Sequence, residues 1–85
     1  MDYIIVAFRS RLHTIKFANI LRERGGAMEI VNTPKEAGVG CGLSVKIRKE
    51  SLEVAKKLVL MSGLSSFAGF FIVKEMCGKR FVRSI

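Results

Sequence analysis

The segment Tyr3–Phe8 is apolar at every position, and it constrains the fold more than any other part of the chain. A strand that faces water on one side alternates apolar and polar residues, so this unbroken run predicts a central strand that is covered on both faces. The chain has 85 residues, of which 49% are apolar. This length and composition predict one folded domain over residues 1–85, with a single core.

The residues after this strand predict a helix. The Ser10 side chain can accept a hydrogen bond from a helix amide, and the pair Gly25-Gly26 can adopt at low cost the left-handed geometry that ends helices. Between them, apolar residues recur at helical spacing and predict the side of the helix that faces the core: Leu12, Ile15, Ala18 and Leu21.

Two strands are predicted in the middle of the chain. The first covers Ala27–Asn32, with Met28 and Ile30 facing inwards, and it ends before Pro34 because proline cannot donate to a sheet ladder. The second covers Leu43–Ile47, where apolar and polar residues alternate. This period of two is the clearest strand signal in the sequence.

The last third of the chain predicts a second helix and two further strands. The helix begins at Glu50 or Ser51 and ends at Gly63, and its inward stripe holds five residues: Leu52, Ala55, Leu58, Val59 and Ser62. A strand over Phe67–Lys74, a tight turn at Cys77-Gly78 and a tail strand over Arg80–Ile85 follow.

This order of elements predicts an α+β protein with the ferredoxin-like βαββαβ arrangement. We expect a mostly antiparallel four-stranded sheet, two helices on one of its faces, and a short C-terminal hairpin extension. The other face would then be open, although the first strand and Phe67–Val73 put apolar side chains on both faces. Because an exposed apolar patch marks association, we expect a homodimer that packs through the open face or a sheet edge.

The stretch Thr33–Ile47 holds the features that point to function. It contains the only proline of the chain, Pro34, and three of the eight glycines, which stand around Cys41. Glycine loses more conformational freedom on folding than any other residue, so a glycine-flanked thiol at the start of a strand costs stability. We therefore expect a function, rather than stability, to account for this loop.

Cys41 is the leading candidate for a reactive group. A thiolate is favoured by backbone N–H groups, which the turns at Gly40 and Gly42 expose, and by a cation such as Lys35. Polarisable sulfur can accept a sulfur or selenium atom and pass it on by thiol exchange. The alternative is that Cys41 is a small buried apolar residue at the start of a strand.

The chain resembles the selenium/sulfur carrier-like family in the order and spacing of four segments: the strand YIIVAFRS, the helix HTIKFANILRERG, the turn TPKE at Thr33–Glu36, and Cys41-Gly42 before the strand LSVKI. The resemblance implies a carrier, rather than a turnover enzyme, that holds a chalcogen atom on Cys41 and needs no cofactor. Donor and acceptor proteins for that atom would be its partners. In this interpretation Pro34 fixes the start of the loop, Gly40 and Gly42 shape it, and Lys35 stabilises the thiolate.

Cys77 has a similar local sequence, in a turn with basic neighbours. It would serve as a resolving thiol if it formed a disulfide with Cys41 after transfer, which requires Cα atoms within about 7 Å of each other. The alternative is an unrelated cysteine in a turn. Nothing in the sequence determines that distance.

Other kinds of site receive little support. Structural zinc needs four ligands, whereas the chain offers two separated cysteines and His13, which fits a solvated or capping role. No metal site is therefore predicted. The acids form no pair suited to acid-base catalysis, and the glycine loop lacks the lysine of a nucleotide-binding P-loop.

The net charge of +8 leaves two further interpretations open. The cations suit phosphate contacts, but the Leu43–Ile47 strand lacks the aromatic residues on which RNA-recognition motifs stack bases, so nucleic-acid binding is the weaker alternative. A non-catalytic binding or regulatory module for an anionic or protein partner is the other. No signal peptide or membrane span is evident, and two cysteines fit a reducing cytoplasm.

Overall fold

A computed structural model describes residues 2–40 and 42–85 of the chain. These residues form five strands, two α-helices and two short 3-10 helices, in this order: β1 (Asp2–Phe8), α1 (Arg11–Glu23), β2 (Glu29–Asn32), a 3-10 helix (Lys35–Ala37), β3 (Leu43–Ile47), a second 3-10 helix (Lys49–Ser51), α2 (Leu52–Ser62), β4 (Phe67–Met76) and β5 (Lys79–Ser84).

The strands form one antiparallel sheet in the order β2-β3-β1-β4-β5, with β1 in the centre as predicted. The α+β class is confirmed, but the predicted four-stranded sheet is wrong in strand number. The two-residue turn Cys77–Gly78 returns the chain directly along β4, so the C-terminal hairpin extension continues the same ladder from Met76↔Lys79 to Phe71↔Ser84. Positive φ angles of 51° and 76° at Cys77 and Gly78 suit such a turn, since they match the twist of the paired strands.

The two helices cover one face of the sheet and form the larger part of the core with it. Phe8 is fully buried there, and the centroid of its ring lies 5.3 Å from that of Phe17 on α1 and 5.7 Å from that of Phe67 on β4. On α2, Ala55 and Leu58 are buried against the same cluster, as predicted. We call this surface of the sheet the helix face.

Ala18 and Leu21 of α1 face the core as predicted, but the other two predicted residues do not. Leu12 and Ile15 are 58% and 39% exposed. The buried residues are Thr14, Phe17, Ala18 and Leu21. Phe17 is the largest apolar side chain of the helix, and turning it towards Phe8 rotates the preceding turn so that Leu12 and Ile15 face outwards.

Both ends of α1 follow from the sequence. The Ser10 side chain caps the helix by accepting a hydrogen bond from the His13 amide at 3.3 Å. At the other end the Gly26 amide donates to the Leu21 carbonyl at 2.9 Å and the Gly25 amide donates to the Arg22 carbonyl at 3.0 Å. This pair of bonds is the Schellman motif, and Gly25 adopts the left-handed conformation that it requires, with φ 74°.

The second face of the sheet is covered, which corrects the expectation of an open face. The apolar side chains there are at most 8% exposed: Ile5, Ala7, Phe71 and Val73. Residues of the loop between β2 and β3 fold over them, and Val39 belongs to the same buried cluster. The homodimer stays a prediction. It was expected because an open apolar face would be exposed, and in the described residues the apolar side chains of this face are buried.

Candidate functional site

The loop between β2 and β3 is held to the sheet at both ends. The Thr33 amide donates to the Gly42 carbonyl at 3.0 Å, which extends the β2–β3 ladder beyond its last pair, Asn32 and Leu43. The hydroxyl oxygens of Thr33 and Ser44 lie 2.6 Å apart, and Ser44 is fully buried. Residues 33–42 are thus a closed loop with a polar, hydrogen-bonded base, and we call them the β2–β3 loop.

The first half of the β2–β3 loop is an ordered turn. Pro34 is buried, and its carbonyl accepts a hydrogen bond from the Ala37 amide at 3.1 Å. The Lys35 carbonyl accepts one from the Gly38 amide at 3.1 Å, and Gly38 ends the turn in the left-handed conformation, with φ 64°. Pro34 therefore stands at the start of the loop, where the sequence predicted it.

Two contacts fasten this turn to the second face of the sheet. Val39 is 8% exposed and packs in the apolar cluster, while the Glu36 carboxylate accepts hydrogen bonds from Arg80 Nε at 3.3 Å and Nη2 at 3.0 Å. The Arg80 guanidinium lowers the pKa of Glu36, and the carboxylate in turn raises the pKa of Arg80. Residues far apart in sequence thereby hold the loop over β1 and β4.

Cys41 lies outside the described residues, so its predicted reactivity stays a prediction. Its neighbours Gly40 and Gly42 are exposed, and a Cβ atom built on either glycine would meet nothing within 4 Å. Gly40 has φ 80°, a conformation that side chains rarely adopt. Lys35 is also exposed. The described flanks of Cys41 are therefore open to solvent, as a carrier loop requires.

Thr14 connects the end of the β2–β3 loop to the first turn of α1. Its side chain is fully buried, and its hydroxyl lies 3.3 Å from both the Leu43 carbonyl and the Ser10 carbonyl. The loop thus ends beside the amino terminus of α1, where backbone N–H groups create a positive potential. The sequence analysis did not identify this link; a threonine among the apolar residues of a helix was its only signal.

His13 and Ser66 form a second polar contact at the same end of the sheet. His13 Nδ1 lies 2.6 Å from Ser66 Oγ and accepts a hydrogen bond from the Ser66 amide at 3.4 Å. Ser66 Oγ also accepts a bond from the Ser10 amide at 3.1 Å. The contact joins the α2–β4 connection to the start of α1.

Cys77 is exposed in the turn between β4 and β5. Lys74 pairs with Asp2 at one end of β1 and Ser44 pairs with Ala7 at the other, so this turn and Gly42 lie beyond opposite ends of the strand. At a rise of about 3.3 Å per residue, the separation along the strands is on the order of 30 Å. A resolving role for Cys77 stays a prediction, and it would need a rearrangement or a second chain.

Searches for metal and membrane features gave no candidates in residues 2–40 and 42–85. No group of three or more histidine, cysteine, aspartate or glutamate side chains in this part of the chain could hold a metal ion. None of its helices is long and apolar enough to span a membrane.

Comparison with known proteins identifies one similarity. The family model described as "Putative Se/S carrier protein-like" matches residues 2–66, which is most of the chain and includes the whole β2–β3 loop. No curated protein and no solved structure matches.

Proposed function

This chain belongs to the Se/S carrier protein-like family, and from that premise we propose that it carries a sulfur or selenium atom on Cys41. The observation that carries the proposal is the extent of the family match. It covers residues 2–66, and Cys41 is the one cysteine of the sequence within that range, because Cys77 lies beyond it.

The proposed transfer exchanges one sulfur bond for another. The Cys41 thiolate attacks the outer sulfur of a persulfide on a donor protein, the sulfur–sulfur bond of the donor breaks, and its electron pair leaves on the donor thiolate. Cys41 then holds a persulfide. An acceptor thiolate attacks the outer atom in turn and releases Cys41 as thiolate, so no net oxidation or reduction occurs and no cofactor is required.

The surroundings of the β2–β3 loop support this chemistry. Attack by a protein-bound donor requires access, and the exposure of the neighbouring residues Gly40 and Gly42 is consistent with this requirement. Thiolate formation is favoured by positive potential, and in this proposal its sources are the amino terminus of α1, which Thr14 links to Leu43, and the exposed side chain of Lys35. Pro34 contributes by fixing the start of the loop.

The proposed function also implies partner proteins and a reducing compartment. Donor and acceptor proteins are required by the chemistry, and a reducing compartment such as the cytoplasm would keep Cys41 as a thiol. A binding or regulatory module without a reactive cysteine is the alternative function. It shares the fold with a carrier but makes no use of Cys41.

Intact-mass measurement after treatment with cysteine persulfide tests the proposal. We expect the parent protein and Cys77→Ser to gain one sulfur atom that dithiothreitol removes, whereas Cys41→Ser gains none. Cys77→Ser is the matched control because it removes the other thiol. Retention of the added sulfur in Cys41→Ser would refute the assignment.

Alkylation of the same variants at increasing pH gives the second measurement. The Cys41 thiol should titrate below about 8.5, the ordinary value of a free cysteine, and Lys35→Ala should bring it closer to that value. A Cys41 thiol that resists alkylation in the folded protein would instead favour the buried, structural interpretation.

A further inference from the structure

The hairpin of β4 and β5 has two faces of different character. Val73 and Val82 pack in the cluster of the second face. The alternate residues point to the side that carries the helices, and β5 extends the sheet there as its edge strand. Six residues make up this surface, which we call the ribbon face: Ile72, Lys74, Met76, Lys79, Phe81 and Arg83.

Phe81 stands in the middle of the ribbon face. Its side chain is 55% exposed, and it is paired across the strands with Lys74. Arg83 is paired with Ile72 on the next rung of the same face. With Val82, these four residues line a hollow of about 120 Å³, so the ring borders a depression that has cations on both strands.

The ribbon face carries three exposed cations. Lys74, Lys79 and Arg83 are exposed, and none of the ion pairs found in the described residues involves them. The nearest cross-strand acid on this side, Asp2, already contacts Lys49 Nζ at 3.7 Å. Glu75, the one acid of the two strands, points to the opposite face.

We propose that the ribbon face binds single-stranded nucleic acid, with a base stacked on Phe81 and phosphates on Lys74, Lys79 and Arg83. A solvent-exposed ring between cations offers the two interactions that single strands require, which are stacking and phosphate contact. β5 offers one exposed aromatic ring, Phe81, whereas the Leu43–Ile47 strand has none. An acidic protein surface would satisfy the cations but not the exposed ring.

This surface is independent of the carrier chemistry. The residues that form it all lie beyond residue 66, where the family match ends, and the Cys77 turn is at the opposite end of the sheet from Gly42. The carrier proposal and this one therefore succeed or fail separately.

Fluorescence anisotropy with labelled single-stranded oligonucleotides of about 12 nucleotides tests the proposal. RNA and DNA are used in separate arms, and a duplex and polyglutamate serve as competitors. Phe81→Ala and Phe81→Leu should both weaken binding about five- to a hundredfold, whereas Phe81→Tyr should retain it, because stacking needs the ring. If RNA and DNA bind with different affinities, the one that binds more tightly is identified as the natural ligand. If they bind equally, binding depends on the base stacking and phosphate contacts that both share.

Charge removal provides the matched comparison. Lys74→Gln combined with Arg83→Gln should lower the slope of log affinity against log salt by about 1.4, the value for two lost phosphate contacts. Lys56→Gln combined with Lys57→Gln removes the same charge from exposed positions on α2 and should not change it. Equal effects of the two pairs, full affinity in Phe81→Leu, or equal competition by polyglutamate would overturn the proposal. Circular dichroism confirms that each variant is folded.

Discussion

The two faces of the sheet are covered by very different structures. Helices α1 and α2 cover the helix face with a continuous apolar cluster in which four phenylalanine rings are in contact: Phe8, Phe17, Phe67 and Phe70. The second face is covered by the β2–β3 loop, which contributes one buried valine, a proline turn and an exposed ion pair. One face is therefore closed by regular structure and the other by the segment that bears the candidate thiol.

This difference predicts that the two covers of the sheet differ in local stability. Elements with few buried contacts open at a lower free energy than the core, and functional loops are drawn from that class. Among the described residues of the β2–β3 loop, Val39 is the main apolar contact with the second face, and Gly38 and Gly40 flank it. We expect the loop to detach while the helix face stays packed. Four predictions test this contrast, in order of decreasing effect.

The largest effect is expected from Phe8→Ala on the helix face. The substitution empties the space between α1 and β4, and truncation of a buried phenylalanine costs about 3–5 kcal/mol. Urea unfolding followed by circular dichroism measures the loss. Phe81→Ala is the control, since that ring is 55% exposed and its removal should cost far less. Similar losses in both variants would show that the helix face does not dominate stability.

Val39→Asp should break the loop cover and leave the helix face intact. A carboxylate cannot stay in the apolar cluster without a partner, so the loop should detach and forfeit the burial of one valine, about 2 kcal/mol. We expect increased binding of the dye ANS with unchanged helix content.

The control for this variant is Val54→Asp on α2, at a position that is 54% exposed. It introduces the same charge and should change the free energy of unfolding by no more than about 0.5 kcal/mol. If the two variants unfolded and bound ANS alike, the loop would not be a cover of the second face.

A matched pair of glycines separates stability from effects on the site. Gly38 and Gly63 both end helical turns, have φ angles of 64° and 66°, and have open space where a Cβ would be added. Alanine at either position should cost about 1 kcal/mol, because side chains rarely adopt this conformation. Only Gly38→Ala should also change the rate of Cys41 alkylation. Equal rates in the two variants would separate Cys41 from the geometry of the loop.

The sequence predicted the regular elements well because each has a local cause. The unbroken apolar run Tyr3–Phe8 became the central strand, the alternating residues Leu43–Ile47 became β3 with the predicted bounds, and Ser10 caps α1. On α1 the spacing correctly predicted Ala18 and Leu21 as buried, but it favoured Leu12 over Phe17, which lies on a different side of the helix. Which side of α1 faces the core depends on the contact between Phe17 and Phe8, and a contact between two elements does not appear in the spacing of residues within the helix.

The cover of the second face could not be predicted for the same reason. Val39 is a single valine among glycines, with no periodic pattern to indicate which surface it meets. The Glu36–Arg80 pair joins residues 44 positions apart. Of the predicted site residues, Pro34 and Gly42 accept backbone hydrogen bonds at the two ends of the loop. The hydrogen bond from Thr14 to the Leu43 carbonyl also joins residues far apart in sequence, so no local pattern indicated it.

The smallest effect is expected from the Glu36–Arg80 pair. Its dependence on pH compares the loop cover of the second face with the helix cover of the other face. Because Arg80 lowers the pKa of Glu36, that carboxyl should titrate in the folded protein below its ordinary value of about 4.3. The stabilisation by this pair is fully present at pH values above the ordinary pKa of the unfolded state. It is lost as the pH falls through the lowered pKa of the folded state, because the folded and the unfolded protein then both bind the proton. The effect on stability should be slight since both side chains are 43% exposed.

An NMR titration of the Glu36 side-chain carboxyl measures this midpoint directly. Arg80→Gln should return it to the ordinary value, whereas Arg83→Gln, which removes the same charge from the ribbon face of β5, should leave it lowered. Because the pair fastens the loop and not the helices, protonation of Glu36 should loosen the turn at Lys35–Ala37 before the helix face responds, while Val39 still holds the loop. Amides of Lys35–Ala37 should therefore shift in acid at a higher pH than those of α1, and a simultaneous shift would mean that both covers open as one unit.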